Sequence, residues 1–447
     1  SSILNKTALP VELVCITLTP ERQALMFRLL RQRNFALLWW SGLISFAGDW
    51  MMMIARPLYV YEMTGSALAT SLMFIAGTLP RIALGSVAGV FVDRWERQRT
   101  MVVAKLLLAL AILPLLLVRS AEHLWLVYLS AFCTATLSQF LYPAENAFLP
   151  TLVEDGDLVS ANALNNMNNQ IARLTGPAIG GILMASFGFS MIVLADVLTF
   201  ALAGLMIAAI RLPRPAAAEA APPAEKPALS ARHVFNEWRE GLAIVRQSYT
   251  LTIMFILMAI TSIGEGVLSV LLAPFATDLL QTDAVGLGGL MSAQAVGGII
   301  GGAIIARRGG RGSLWAMAGW GSLLVGLFDL VLLNYYLFIP GVAFGMVVLV
   351  ITGLPVAALM TGVLTLLQKG ADDAYRGRVF GALMTVSSLF ALIGIILAGT
   401  LGEIFGPALI NVQVVAYVLG GVLVLVAHRR KVSRVPGPAL DPVAGEL

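Results

Sequence analysis

Long apolar runs separated by short charged knots dominate this chain. The stretch GVFVDRWERQRTM, residues 89–101, shows the pattern: an apolar run stops at Val92, five of the next seven residues are charged, and another apolar run begins at once. The runs are about 18–27 residues long, enough to cross a hydrocarbon core of roughly 30 Å at about 1.5 Å per residue. Twelve such spans are predicted. Six lie near 35–60, 66–92, 100–118, 124–148, 164–188 and 189–210, and six near 249–276, 285–306, 313–335, 340–367, 377–402 and 405–428. Lipid offers no hydrogen bonds to a backbone, so each span is predicted to be a helix. The expected fold is therefore an all-α membrane protein of twelve transmembrane helices.

Composition agrees with this. Of 447 residues 58% are hydrophobic and 12% charged, too few charges to cover a water-soluble surface of this size. Cys15 and Cys133 give neither a disulfide framework nor a metal spacing, and His123, His233 and His428 fall in loops or at a helix end. No metal or cofactor is called for. No cleavable signal peptide is expected, because the first span is too long and follows the basic stretch ERQALMFRLLRQRNF.

The positive charges set the orientation. All but four of the 29 Lys and Arg residues fall in the N-terminal segment, the 2–3 loop and its exit (Arg94, Arg97, Arg99, Lys105), the central linker, loops 8–9 and 10–11, and the tail. Of those four, Arg119 lies in an opposite-side loop, while Arg56, Arg81 and Arg173 lie inside spans. Both termini are thus expected in the cytoplasm. The net charge of +4 follows from topology, with no nucleic-acid partner needed.

Residues 213–230, PRPAAAEAAPPAEKPALS, read as an extended or disordered tether. The following HVFNEWREGLAIVRQ reads as an amphipathic helix on the membrane surface, with Phe235, Trp238, Leu242 and Val245 on one side. The chain thus divides into a segment 1–34, a six-helix bundle 35–212, a linker 213–248, a second bundle 249–428 and a tail 429–447. The halves echo each other at a nearly constant separation: Gly48-Asp49 with Gly264-Glu265, Pro143 with Pro355, Gly89 with Gly302. Paired bundles that rock about a midplane site are a transporter architecture.

Several motifs sharpen this. The 2–3 loop carries Gly89, then Asp93-Arg94, Arg97 and Arg99; span 5 carries RLTGPAIGG (173–181), with Gly176, Pro177, Gly180 and Gly181. YPAENAFLPTLV (142–153) ends span 4, and RGRVFGAL (376–383) opens span 11. This combination resembles the major facilitator superfamily over nearly the whole membrane portion, and within it the drug:proton antiporters with macrolide-efflux and enterobactin-exporter relatives. Two departures stand out: Glu96 stands in the loop motif where the family pattern has Gly, and span 4 lacks the Arg that antiporter relatives often carry. The resemblance implies a cytoplasmic gate. Asp93 would cap helix 11 near Gly377–Val379, beside Arg376 and Arg378, while Arg94 and Arg97 would meet Glu154, Asp155 or Asp157. The plainer alternative is a loop anchored by its positive charges. For Gly176–Gly181, close helix packing stands beside the export reading.

An ionisable side chain deep in lipid costs roughly 2.5–3.5 kcal/mol on insertion scales, so each asks for a partner or a task. Asp49 lies mid-span 1, Arg81 mid-span 2, Arg173 mid-span 5 and Glu265 mid-span 7; Arg56, Glu145 and Asp196 lie nearer the ends. Asn162, Asn166, Asn169 and Arg173 form one stripe of span 5. One reading makes Asp49 and Glu265 proton-titrating carboxylates, with Arg81 and Arg173 as counter-charges. The other makes all four static ion pairs. Trp50 and Met53, beside Asp49, are candidates to line an apolar pocket, or ordinary core.

The expected function is a proton-coupled exporter of amphiphilic small molecules in a bacterial inner membrane, working as a monomer. A siderophore exporter, a lysophospholipid transporter and a substrate-free sensor or scramblase remain open. An integral-membrane enzyme is disfavoured, because no clustered catalytic constellation or phosphate-binding Gly loop is present. With no ATP-binding motif, energy comes from an ion gradient or the substrate's own.

Overall fold

The computed structural model describes residues 28–85, 91–92, 95–211, 231–308, 312–372 and 375–433. The tether 213–230, the tail beyond 433, most of the N-terminal segment, and Gly89, Asp93 and Arg94 of the loop motif lie outside the described residues.

Among the described residues twelve long helices follow the linker-separated halves; the first half has α1 (Arg33–Thr64), α2 (Ala67–Leu84), α3 (Arg97–Ile112), α4 (Leu124–Phe148), α5 (Leu158–Phe187) and α6 (Phe189–Ala208). The second half has α7 (Tyr249–Pro274), α8 (Ala284–Arg307), α9 (Leu314–Leu332), α10 (Ala343–Gly370), α11 (Arg376–Phe405) and α12 (Val412–Ser433). A separate linker helix spans Ala231–Gln247. Among the described residues ten segments are long and apolar enough to cross a membrane, and one of them, 376–431, is α11 and α12 joined through a short 3-10 turn. Helix α5 falls short of that test because Asn162, Asn165, Asn166, Asn168, Asn169 and Arg173 interrupt its apolar residues. It is 30 residues long and packed among the others. The protein is a multi-pass membrane protein.

Local chemistry places the helix ends. Ser66, Asp283 and Ser313 accept hydrogen bonds from the backbone N–H groups of Ala69, Gly286 and Ala316, capping α2, α8 and α9. The turn from α1 to α2 goes through Gly65 at φ 63°, and that from α11 to α12 through Gly406 at φ 66°, backbone angles that favour glycine. Span 12 was expected from residue 405; residues 406–411 instead form the 3-10 turn, so α12 begins at Val412.

Packing repeats between the halves. Helix α1 lies on α5 and α6, α3 on α4 and α6, and α2 on α4; likewise α7 lies on α11 and α12, α9 on α10 and α12, and α8 on α10. These five principal contacts of one bundle each have a counterpart in the other, as expected of a duplicated six-helix unit. The outermost helices show apolar stripes to the surroundings, Leu194, Leu198, Leu202 and Leu205 on α6 and Val415, Leu419, Val422 and Val426 on α12. In water this would be costly, but in lipid it is neutral.

The halves meet through α5 on α8 and α2 on α11. Those contacts include the helix ends remote from the linker: Ala284 and Leu287 of α8 join the first bundle's core, and Ala67 of α2 joins the second's. The linker helix docks on α11, where Val245 is buried, Trp238 and Leu242 pack against the core, and Glu240 pairs with Arg378 at 3.0 Å. Its apolar residues Trp238, Leu242 and Val245 are thus seated on protein.

Candidate functional site

The intramembrane charges gather in two clusters, one per bundle. Asp49 is exposed although it lies midway along α1, so it faces an opening between helices. Around it the first bundle places Arg56 of α1, Lys105 of α3, Glu145 of α4 and Asp196 of α6 within electrostatic reach of Asp49, with Arg56 and Lys105 also within reach of Asp196. Lys105, Glu145 and Asp196 are only 3%, 5% and 1% exposed. The Lys105 ammonium donates to Ser45 Oγ at 2.5 Å and sits 5.4 Å from the Phe200 ring centre. Asp196 Oδ1 accepts from the Thr199 hydroxyl at 3.2 Å. Gly48 makes this crossing feasible, because a β-carbon there would overlap Asp196 Oδ1 and stand 2.5 Å from Thr199 Oγ1.

Two expectations are corrected here. Lys105, grouped with the exit of the 2–3 loop, is buried two turns inside α3 and turned toward α1. Arg81 is not among the charges at Asp49; Arg56 and Lys105 take that place, while Arg81 lies near Tyr142. Depth along a span does not fix the direction a side chain faces, and α2 packs on α4 rather than on the Asp49 face of α1.

In the second bundle Glu265 is exposed midway along α7, accepting a short hydrogen bond from the Tyr417 hydroxyl of α12. One turn away on α12, Gln413 Nε2 donates to Asp329 of α9 at 2.8 Å. Asp329, Gln413 and Tyr417 are all buried. None was singled out from sequence. Asp329 alone carried a visible signal, a carboxylate inside span 9.

Arg173 ties the bundles together. Its guanidinium donates to Gln294 Oε1 of α8 at 3.0 Å, lies 5.9 Å from the Trp50 ring centre, and is within electrostatic reach of Glu265. Asn162, Asn166 and Asn169 continue the Arg173 stripe toward the linker side and are exposed. Because Arg173 meets the second bundle, the stripe faces the cleft between the halves. Asn165 and Asn168, overlooked in the sequence, turn the other way: Asn168 donates to the Trp39 carbonyl at 2.8 Å, and Asn165 lies beside Glu145. Met53 is 51% exposed, one turn beyond Asp49.

The Gly-Pro motif of α5 packs on both sides. Gly176 and Gly180 meet the backbone of α1 at Ala47 and Met51, while β-carbons at Gly181 or at Gly288 of α8 would overlap the carbonyls of Ala284 or Pro177. These backbones touch with no side chain between them, which makes the motif the seam of the two halves. At the same remote end, Tyr61 donates to Asp278 at 2.5 Å and Ser66 to Glu403 at 2.6 Å, both across the halves. A cavity of about 340 Å³ lies there between Tyr61, Ala67, Leu271, Gly402 and Glu403.

On the linker side, the expected gate residues bond differently. Arg97 donates to the Ala147 carbonyl at 2.9 Å and not to a loop 4–5 carboxylate. As the first residue of α3 it sits beside the end of α4, whose last carbonyls lack helical partners. Asp157 is taken by Arg28 at 2.7 Å, and Glu154 is exposed. Arg378 pairs with Glu240, and Arg376 donates to the Gln368 carbonyl. The cap by Asp93, the contacts of Arg94 and the side chain of Asp155 lie outside the described residues.

Comparison with known proteins gives one consistent picture. Residues 25–435 match the family described as transmembrane secretion effector. Macrolide efflux protein A of Streptococcus pyogenes is 25% identical over 376 residues, covering 83% of this chain and 90% of that protein. The multidrug efflux pump Tap of Mycobacterium tuberculosis is 28% identical over 383 residues, covering 83% and 87%. A Bacillus subtilis protein, the uncharacterized MFS-type transporter YfiS, is 26% identical over 85% of this chain and 89% of its own. Among solved structures, a bacterial homologue of the iron transporter ferroportin in an inward-facing state superposes with a TM-score of 0.69 over 89% of this chain and 99% of its own, at 17% identity. The chain belongs to the transmembrane secretion effector family of the major facilitator superfamily, and it is a transporter, not an enzyme.

Proposed function

We propose that the protein is a proton-coupled exporter, an antiporter that moves amphiphilic cationic or zwitterionic small molecules by alternating access. The observation that carries this reading is the cleft itself. Two exposed carboxylates, Asp49 and Glu265, and one arginine, Arg173, face it from bundles joined at the remote end. A carboxylate beside a cation stays ionised; when the cation withdraws, a dry surrounding favours uptake of a proton. Rocking the bundles moves Arg173 relative to Glu265 and so ties proton uptake to conformation. The relatives named above, a macrolide efflux protein and a multidrug efflux pump, support export of amphiphiles.

The excess of Lys and Arg on the linker side puts that side, and both termini, in the cytoplasm of a bacterial inner membrane. The cleft then opens inward and the latches at Tyr61 and Ser66 close the outer face. Trp50 and Met53 supply apolar and aromatic surface beside Asp49 for a substrate's hydrophobic part. The unit of function is the monomer, since each chain carries both bundles and the cleft.

The test is transport in proteoliposomes. With an imposed pH gradient, wild type moves a lipophilic cation dye against its gradient, and Asp49→Asn, verified as folded, does not. Transport that ignores the gradient, or that survives Asp49→Asn, overturns the coupling assignment. A dye that wild type leaves unmoved overturns the cationic-amphiphile assignment and directs the assay to siderophores and lysophospholipids.

A further inference from the structure

The first bundle's cluster is unbalanced in charge and unpaired in geometry. Three carboxylates (Asp49, Glu145, Asp196) face two cations (Arg56, Lys105); Tyr142 of α4 is also near Asp49 and Glu145, while Arg81 of α2 lies near Tyr142 and is not among the charges acting on the three carboxylates. No direct salt bridge joins them: the ammonium of Lys105 goes to Ser45, and Arg56 Nε, Glu145 Oε1 and Asp196 Oδ2 are buried without a hydrogen-bond partner. A purely structural buried charge is normally paired and fully hydrogen-bonded, because an unsatisfied one costs several kcal/mol. Helix α5, which also packs on α1, turns only neutral amides toward this space at Asn165 and Asn168.

Asp196 has the fewest means of holding a full negative charge. It is 1% exposed, has one hydroxyl donor, and lies against the α1 backbone at Gly48, the residue before Asp49. We infer that Asp49 and Asp196 share one proton across the α1–α6 crossing, with Asp49 as the member open to the cleft and Asp196 as its buried reservoir. With that proton in place the cluster is neutral: two remaining negative charges against two cations. A substrate cation seated at Asp49 adds one positive charge. The O–H bond of the pair then breaks, its electrons stay on the carboxylate, and the proton leaves to cleft water. Two carboxylates close together hold their protons as a unit, so neither residue alone owns the site.

The place of this pair in transport rests on the proton-coupled reading, but the pair can be tested without any transport. Infrared spectra of the purified full-length protein at neutral pH report the carbonyl stretch of a protonated carboxylic acid. Subtracting the spectrum of Asp196→Asn from that of wild type should leave such a band. Subtracting Asp49→Asn should leave the same band, since neutralising either member lets two cations balance two carboxylates. Lys105→Met, which removes a cation, should strengthen the band. Thr199→Val leaves both carboxyls in place and should shift its frequency, which keeps the test open should Asp196→Asn fail to fold. If the Asp196→Asn difference contains only ionised carboxylate bands, Asp196 is a static charge and the inference falls. A band that Asp49→Asn leaves untouched overturns the sharing. If the band behaves as expected while liposome transport ignores the pH gradient, the shared proton stands and the antiport reading is what fails.

Discussion

The two bundles share one packing plan and fill it with different chemistry. In the first, an exposed Asp49 is backed by buried Lys105, Glu145 and Asp196, all from its own half. In the second, an exposed Glu265 is backed by neutral donors: Tyr417 serves Glu265, and Gln413 serves Asp329. The positive charge nearest this second site, Arg173, comes from across the cleft. The first cluster is therefore self-contained, and rigid rocking of the bundles leaves its internal distances unchanged. In the proposed antiport the second depends on a cation that rocking carries away, so that one half stores charge and the other senses conformation. On that proposal duplication supplies the frame for alternating access, and the divergence of the pairs supplies the asymmetry that a direction of coupling needs.

The largest expected effect comes from taking the buried cation out of the self-contained cluster. Lys105→Met leaves three carboxylates facing Arg56 alone and should cost about 3 kcal/mol of stability, the usual penalty for unpairing a buried charge. Protons can substitute for the lost ammonium, so the loss should be greatest at alkaline pH and shrink as pH falls. Thermal unfolding in detergent across a pH series measures this. A melting temperature equal to wild type throughout would mean that the cluster is hydrated and not self-contained.

Next comes the borrowed cation. Arg173→Gln removes a charge-assisted contact of about 1.5–3 kcal/mol, and gradient-driven transport should fall by roughly ten- to a hundredfold. Stability should barely change, in contrast with Lys105→Met. Arg173→Lys should restore only part of the rate, because an ammonium keeps the charge near Glu265 but lacks the planar fork that meets Gln294 and Trp50 together. Equal loss of stability and rate in Arg173→Gln would erase the proposed division between the halves.

How much of this was legible in sequence differed by scale. Apolar runs reveal spans because lipid imposes them one helix at a time, and α4 runs over 124–148, the limits read from the sequence. The boundaries slip at α5, where asparagines interrupt the apolar run for the sake of the cleft, and at α12, where a 3-10 turn was read as helix. Partnerships are another matter. Which cation faces Asp49 depends on the rotation of α3 against α1 and α2 against α4, and no single-helix pattern encodes that. Lys105 hid near a basic loop whose charges obey a different rule, and Gln413 and Tyr417 gave no warning because a neutral side chain in a span is unremarkable until its carboxylate is found. The Gly-Pro motif was readable as packing, but not as the seam between two halves.

A smaller effect probes the neutral partners. Tyr417→Phe deletes one hydroxyl donor to the Glu265 carboxylate and should cost about 1.5 kcal/mol, roughly a tenfold slower transport. The rate of Tyr417→Phe under an imposed gradient checks this, with Asp49→Asn as the full-loss reference. A loss as deep as that reference would make Tyr417 part of the coupling site instead of its support.

The smallest effect should come at the latches remote from the linker, on the face that the proposed topology makes outer; they belong to neither cluster and hold both halves together. Tyr61 to Asp278 and Ser66 to Glu403 are hydroxyl-to-carboxylate bonds at partly exposed positions, each worth about 0.5–1.5 kcal/mol. Removing one by Tyr61→Phe or Ser66→Ala should shift the balance toward outer opening by roughly fivefold, and removing both should nearly multiply the shifts, since the latches lie on different helix pairs. A single cysteine in place of Leu271, which lines the outer cavity, reports opening as its rate of alkylation by a membrane-impermeant reagent. The rate should rise in each latch variant while the infrared acid band stays as in wild type, because the first cluster keeps its own geometry in either state. A band that changes with the latches would show that the first cluster also feels the rocking, and the contrast between a storing half and a sensing half would then have to be given up.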